Sequence, residues 1–185
     1  MRLLRRFAVV LGTAALALLI PVSPGVKRAD SDALADSQPV ASSSQEGTSS
    51  CWSPRTSESG FAQKINEVRR AAGRGALRLD PELSRAARYH TWQMAHKDVL
   101  YHTPADRLKR RVTNWVVLGE NVGVGGSVQS LHDAFMNSPA HKDNIMLPGF
   151  TYVGIGASQR GNRLWVTVIF EAATNPDTPL RMPAC

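Results

Sequence analysis

The sequence predicts an α+β fold in which helices cover a mainly antiparallel sheet. Three observations carry this. The earlier part of the chain after residue 55 places apolar residues at helical spacing. The final part, "TYVGIGAS" and "RLWVTVIFE", alternates like two strands. The short "QRGN" between those two runs reads as a hairpin turn.

Each element has its own signal. In "SESGFAQKINEVRRAAG", Phe61, Ile65, Val68 and Ala72 recur on one helical face, and Gly73 supplies a stop. The second helix, within "PELSRAARYHTWQMAHKDVL", is announced by Asp80 as N-cap, Pro81 at the first helical position and Glu82 at the positive helix end. Leu83, Ala87, His90 and Met94 share its inner stripe, and small Ala86 and Ala87 permit close packing. "YHTPADRLKRRV" reads as a loop and a short helix begun at Asp106. "NWVVLGENVGVGG" reads as an extended run ending near Glu120 and then a loop. "SVQSLHDAFMNS" is a third main helix, capped by Ser127, with Val128, Leu131 and Phe135 inward. "SPAHKDNIM" restarts helix, with Ser138 as cap and Pro139 first.

The 185 residues divide by composition into three parts. Residues 1–28 read as a secretory signal: Arg2, Arg5 and Arg6 precede an apolar run from Phe7 to Val22. The small-x-small triplet Ala33-Leu34-Ala35 lies far from that run, so a retained N-terminal anchor is the alternative. Residues 29–50 are rich in Ser, Ala and Asp, hold few large apolar residues, and read as a disordered tether. Residues 51–185 are long enough to bury an independent core. Seventeen Lys and Arg against 11 Asp and Glu give this part a charge near +6. That favours anionic partners such as cell-wall polymers or phospholipid heads. The one tight basic cluster, Arg107, Lys109, Arg110 and Arg111, has no interleaved aromatics and reads as a solvated helix face. With a secretory signal, it gives no case for nucleic acid. Cys51 and Cys185 are the first and last residues of the domain. Outside the cytoplasm they predict a disulfide clasp, with two free thiols as the alternative. Closing so long a loop stabilises by up to about 4–5 kcal/mol in the chain-entropy model.

Familiar catalytic patterns are missing. "GVGGS" is not followed by Gly-Lys-Ser/Thr, no GxSxG elbow occurs, and His90 and His96 are six apart with no Glu between them. His90 reads as a core histidine with a hydrogen-bond partner, and His96 and His132 as surface histidines. His102, Glu120 and His141 each lie just outside a regular element by this reading, where functional groups concentrate. Two imidazoles and a carboxylate can bind zinc or a similar ion, or relay protons. The structural alternative is that Glu120 pins loop amides and both histidines are incidental.

"YHTP", "LGENV", "MNSPAHKDNIM", "FTYVGIGAS" and "LWVTVIFE", in that order, resemble the bacterial branch of the CAP superfamily. This is the SCP-like family of cysteine-rich secretory proteins, antigen 5 and pathogenesis-related proteins. The resemblance covers about residues 58–171. It implies an α-β-α sandwich with a cleft that, in eukaryotic relatives, is lined by two histidines and two glutamates, with zinc bound in some. Carried over by motif, His102 and His141 match the two histidines and Glu120 the first glutamate. Ser138 or Asn137 stands at the second acid position, and Phe135 stands where a tryptophan is usual. The resemblance implies a secreted, monomeric, cell-envelope binding module rather than an enzyme, its cleft open to a divalent metal such as zinc or to a lipid. A cell-wall polymer, lipid or protein is the implied partner. The alternative is a metal-dependent hydrolase or protease using His102, Glu120 and His141.

Overall fold

The computed structural model describes the backbone of Val9–Leu11 and residues 52–174. Cys51, Cys185 and the clasp expected between them lie outside the described residues, as do the tether and the rest of the signal segment. The elements run β1 (Val9–Leu11), α1 (Thr56–Ala71), β2 (Arg78–Leu79), α2 (Pro81–Lys97), α3 (Ala105–Arg111), β3 (Trp115–Gly125), α4 (Val128–Asn137), α5 (Pro139–Met146), β4 (Tyr152–Arg160) and β5 (Arg163–Ala173). Among the described residues no helix is long and apolar enough to cross a membrane.

The expected α+β sandwich is what forms. One sheet has the order β1-β3-β5-β4-β2. Its three long strands pair antiparallel, and only the short edge strands β1 and β2 pair parallel, so the sheet is mixed. Alternation along β5 divides the core. Leu164, Val166, Val168 and Phe170 face a layer built on Phe61, Ile65, Leu131, Phe135 and Ile145 of α1, α4 and α5. On the other face, Ile169 packs with Leu83, Ala87 and Leu118, and Trp165 with Met94 and Val122, under α2.

The helix starts behave as their residues dictate. Asp80 Oδ1 accepts the Leu83 amide at 2.8 Å, and the Ser127 side chain accepts from the Ser130 amide. α3 begins one residue before the expected Asp106, with Pro104 as its N-cap. Two glycines of "VGIG" let α2 lie directly on β4. A Cβ on Gly154 would overlap the Leu83 backbone, and one on Gly156 would lie 2.5 Å from the Ala87 carbonyl oxygen. The hairpin turns at Gly161, whose φ of +56° is readily adopted by glycine.

Two expectations are corrected. "NVGVGG" does not loop away after Glu120: β3 runs unbroken to Gly125. Glycine is disfavoured in strands by propensity, but here close approach decides. Cβ atoms on Gly119, Gly123 and Gly125 would come within 3.0 Å of Asn144 and Phe150, Phe135, and Leu131 respectively. His132 is also not a surface residue. It is 5% exposed, with Nε2 unpartnered among the described residues. Burial, ahead of the nearby charges of Asp133, Lys64 and Glu67, lowers its pKa.

Candidate functional site

Because β3 continues through "GEN", its consecutive residues point to opposite faces of the sheet. Leu118 belongs to the layer under α2, so Glu120, two residues on, shares that face. Asn121 points to the other side. Its Nδ2 donates to the His141 carbonyl oxygen at 2.9 Å, and Asn144 Nδ2 donates to Asn121 Oδ1 at 2.9 Å. Asn144 Nδ2 also donates to the Glu120 carbonyl oxygen at 3.3 Å. These bonds fasten α5, and so the backbone of His141, to β3. The sequence reading missed both asparagines, although "GEN" and "HKDN" display them.

Glu120 is fully buried. Its Oε1 accepts two bonds, from the Thr103 amide at 2.8 Å and from His102 Nδ1 at 2.9 Å. Since the carboxylate oxygen accepts, the shared proton sits on Nδ1 of His102. His102 and Thr103 lie between α2 and α3, so a strand carboxylate positions the backbone and the side chain of this connection together. Glu120 Oε2 and Thr103 Oγ1 are buried and have no hydrogen-bond partner among the described residues. Leaving a buried acceptor unmatched costs about 1–3 kcal/mol, so an orphan here is a marker for something that donates to it.

The structure thus joins His102 and Glu120 directly. His141 is not bonded to either. Its Nδ1 pairs with Ser138 Oγ at 2.8 Å, and its ring stacks on Phe135 with centroids 4.8 Å apart. Ser138, at the second acid position, therefore orients an imidazole and adds no carboxylate. Burial lowers the His141 pKa, and the charge of His102 lowers it further. His90 is a core histidine, as its stripe predicts. Its ring nitrogen Nε2 lies 2.7 Å from the Tyr101 carbonyl oxygen, and burial lowers its pKa against the opposing effect of Glu120.

This donor set does not match a resident catalytic zinc site. With Nδ1 of His102 committed to Glu120 and Nδ1 of His141 to Ser138, a metal would have to be taken through the two Nε2 atoms. Among the described residues no three or more His, Cys, Asp or Glu stand together so as to hold a metal ion. Two imidazoles are one protein ligand short of the usual three.

Comparison with known proteins agrees with this architecture. The chain is 30% identical over 131 residues to the Bacillus subtilis (strain 168) protein YkwD, covering 65% of this chain and 51% of that one. It therefore spans about half the length of that relative. An outer surface protein from Borrelia burgdorferi superimposes with a TM-score of 0.57 at 18% identity, over 61% of this chain and 90% of that one. An extracellular SCP-domain protein from Bacillus anthracis str. Ames superimposes with a TM-score of 0.53 at 24% identity, over 62% of this chain and 41% of that one. At those identities the two structures speak for the fold alone. The model of the cysteine-rich secretory protein family, CAP, matches residues 62–170, more than half of the chain, and the chain belongs to that family.

Proposed function

We propose that the protein is a binding module of the cell envelope or extracellular space, and that it takes its ligand at Glu120, His102 and Thr103. The observation that carries this is the buried pair of unmatched oxygens, Glu120 Oε2 and Thr103 Oγ1, beside an imidazole already fixed by Oε1. A ligand presenting a hydroxyl, an ammonium or a metal-bound water would supply the absent donor. A lipid head group fits that description, and a divalent metal, which His102 or His141 would hold, would supply the donor through its bound water. The location rests on the arginine-led apolar N-terminal segment and on relatives described as outer surface and extracellular proteins. The excess of Lys and Arg suits an anionic wall or membrane. For a hydrolytic role the Ser138 hydroxyl stands 2.8 Å from a ring nitrogen of His141, but among the described residues no carboxylate is bonded to that ring and no three-ligand metal group stands beside it.

The test is calorimetric titration of zinc into the secreted protein, beside Glu120→Gln and the double variant His102→Ala/His141→Ala. Binding near about 1 μM that the double variant loses would establish the metal form of the reading. If zinc binds equally to all three proteins or to none, the metal form fails, and lipid head groups are titrated in its place. If Glu120→Gln lowers the melting temperature and alters the binding of neither ligand class, the cleft is a structural anchor and the reading is overturned.

A further inference from the structure

α2 buries Leu83, Ala87, His90, Thr91 and Met94, so its opposite face should be polar. It is not. Arg85, Tyr89, Trp92 and His96 follow one another at spacings of four, three and four, which puts them on one stripe, and Val99 follows just past the helix end, after Asp98 turns with a φ of +53°. All five are exposed, Tyr89 by 47%, Trp92 by 52% and Val99 by 53%. Tyr89, Trp92 and Val99 are three of the five large apolar side chains so exposed among the described residues.

The stripe is ordered by its own contacts. Tyr89 stacks on Trp92 with centroids 6.4 Å apart, and Trp92 meets His96 at 4.1 Å. His96 is held in turn, its Nδ1 lying 2.9 Å from the Trp92 carbonyl oxygen. Arg111 of α3 lies over the Tyr89 ring at 4.2 Å. Between the two helices is a shallow depression lined by Glu82, Arg85, Ala86, Tyr89 and Arg111. Further cations are exposed nearby on α3, Arg107 and Arg110, and Lys97 stands at the far end of α2. On this flank the acids are Glu82, Asp98 and Asp106. Asp98 is paired with Arg163 and Asp106 with Arg110, while Glu82 accepts from the Thr113 hydroxyl and keeps its charge among the more numerous cations.

We infer that this face of α2, with the basic edge of α3, docks on an anionic lipid surface. Indole and phenol rings settle at the level of lipid head groups, where one end is apolar and the other wet. Arginines beside them meet phosphate, and Val99 adds an exposed apolar side chain just past the helix end. A soluble polyanion would use the cations and would have no use for exposed Trp92 and Val99. A sugar stacks on an open ring face, whereas Arg111 occupies one face of Tyr89 and His96 packs closely on Trp92. The surface is separate from Glu120, His102 and His141, so it stands or falls independently of the cleft.

The full chain is mixed with vesicles of phosphatidylcholine, alone or with phosphatidylglycerol, each carrying brominated acyl chains that quench nearby tryptophan. Because an apolar leader can hold the chain on any vesicle, the readout is the depth of one side chain and not partition. With four tryptophans in the chain, the parent should lose roughly a quarter more of its fluorescence on anionic vesicles than Trp92→Phe does. That difference should shrink on neutral vesicles, in about 1 M salt, and in Arg85→Glu. Equal quenching of the parent and Trp92→Phe overturns the proposal, as does a difference that ignores lipid charge. Binding to a soluble polyphosphate without Trp92-dependent quenching also overturns it. Trp92 is half exposed, so the phenylalanine variant keeps the fold, and its melting temperature verifies that.

Discussion

Replacing Gly156 by alanine should be among the most damaging one-carbon changes available to this protein. Its Cβ would lie 2.5 Å from the Ala87 carbonyl oxygen and would also meet the Ala87 carbonyl carbon and the Arg88 amide nitrogen. These are backbone atoms of a 17-residue helix, not the tip of a side chain that can turn aside. Ordinary contact needs about 1 Å more, so α2 must withdraw by about that distance or β4 must bend. Withdrawal stretches the bonds from Thr91 Oγ1 to the Gly156 carbonyl oxygen, now 3.0 Å, and to Thr167 Oγ1, now 2.9 Å. It also loosens Leu83, Ala87 and Met94 from the sheet, where a gap of about 1 Å forfeits up to half of each contact's attraction. Overpacking of about 1–3 kcal/mol with two weakened buried hydrogen bonds of about 1 kcal/mol each totals about 4 kcal/mol. That is a large share of a typical stability of about 5–15 kcal/mol, and should lower the melting temperature by roughly 10 °C or more. Urea unfolding followed by tryptophan fluorescence measures it, with Gly126→Ala as control, since nothing lies within 4 Å of a Cβ there. A loss below about 1 kcal/mol for Gly156→Ala, or equal losses in the two variants, would show that α2 does not rest on β4 as described.

Three further outcomes are expected. Arg69 is fully buried and donates to the carbonyl oxygens of Gly75, Ile145 and Leu147 at 2.8–2.9 Å, so Arg69→Met should destabilise by about 3 kcal/mol or more in chemical denaturation. Near-parental stability would contradict that role. Burial, with the charges of Asp80 and Glu82, pushes the Glu171 carboxyl up to about 8. The folded state then holds a proton that the unfolded state releases, so this group's contribution declines as pH rises from about 4.5 to about 8. Glu171→Gln should raise the melting temperature at about pH 8.5 and change it little at about pH 4, and a pH-independent effect would refute the assignment. His132 has the opposite sign: its pKa is depressed by burial, so stability present above its unfolded value of 6.5 is lost as pH falls below it. His132→Gln should flatten part of that acid-side decline in a melting series, and an unchanged slope would count against it.

Much of the fold was legible because its signals are local. Asp80 and Ser127 cap helices through bonds to residues three positions away, and period-two alternation announced the β4–β5 hairpin. The inner stripe of α2 correctly placed His90 in the core. His102 and Glu120 could be nominated by residue type and motif. Their bond could not, because it joins residues 18 apart across two layers.

What only the tertiary structure decided comes down to which face a residue takes and what lies opposite it. The glycines after Asn121 read as loop because propensity disfavours them in strands, yet Phe135 and Leu131 pack so closely on Gly123 and Gly125 that a Cβ there would crowd them. Once β3 is continuous, the pleat sends Glu120 to the α2 face and Asn121 to the α5 face, and one dipeptide anchors the α2–α3 connection on one side and α5 on the other. His132 and Arg69 look like surface residues in one dimension, and packing buries them. The Tyr89–Trp92–His96 stripe has the helical spacing of a core, and only the sheet's place on the other side of α2 leaves it facing water. The sequence by itself determined the five helices, the β4–β5 hairpin and their order, since caps, periodicity and turns act over a few residues, whereas the edge strands β1 and β2 and the full length of β3 came only with the sheet. The third dimension decided the site, because a carboxylate's partners are set by layers that meet only after the chain has folded.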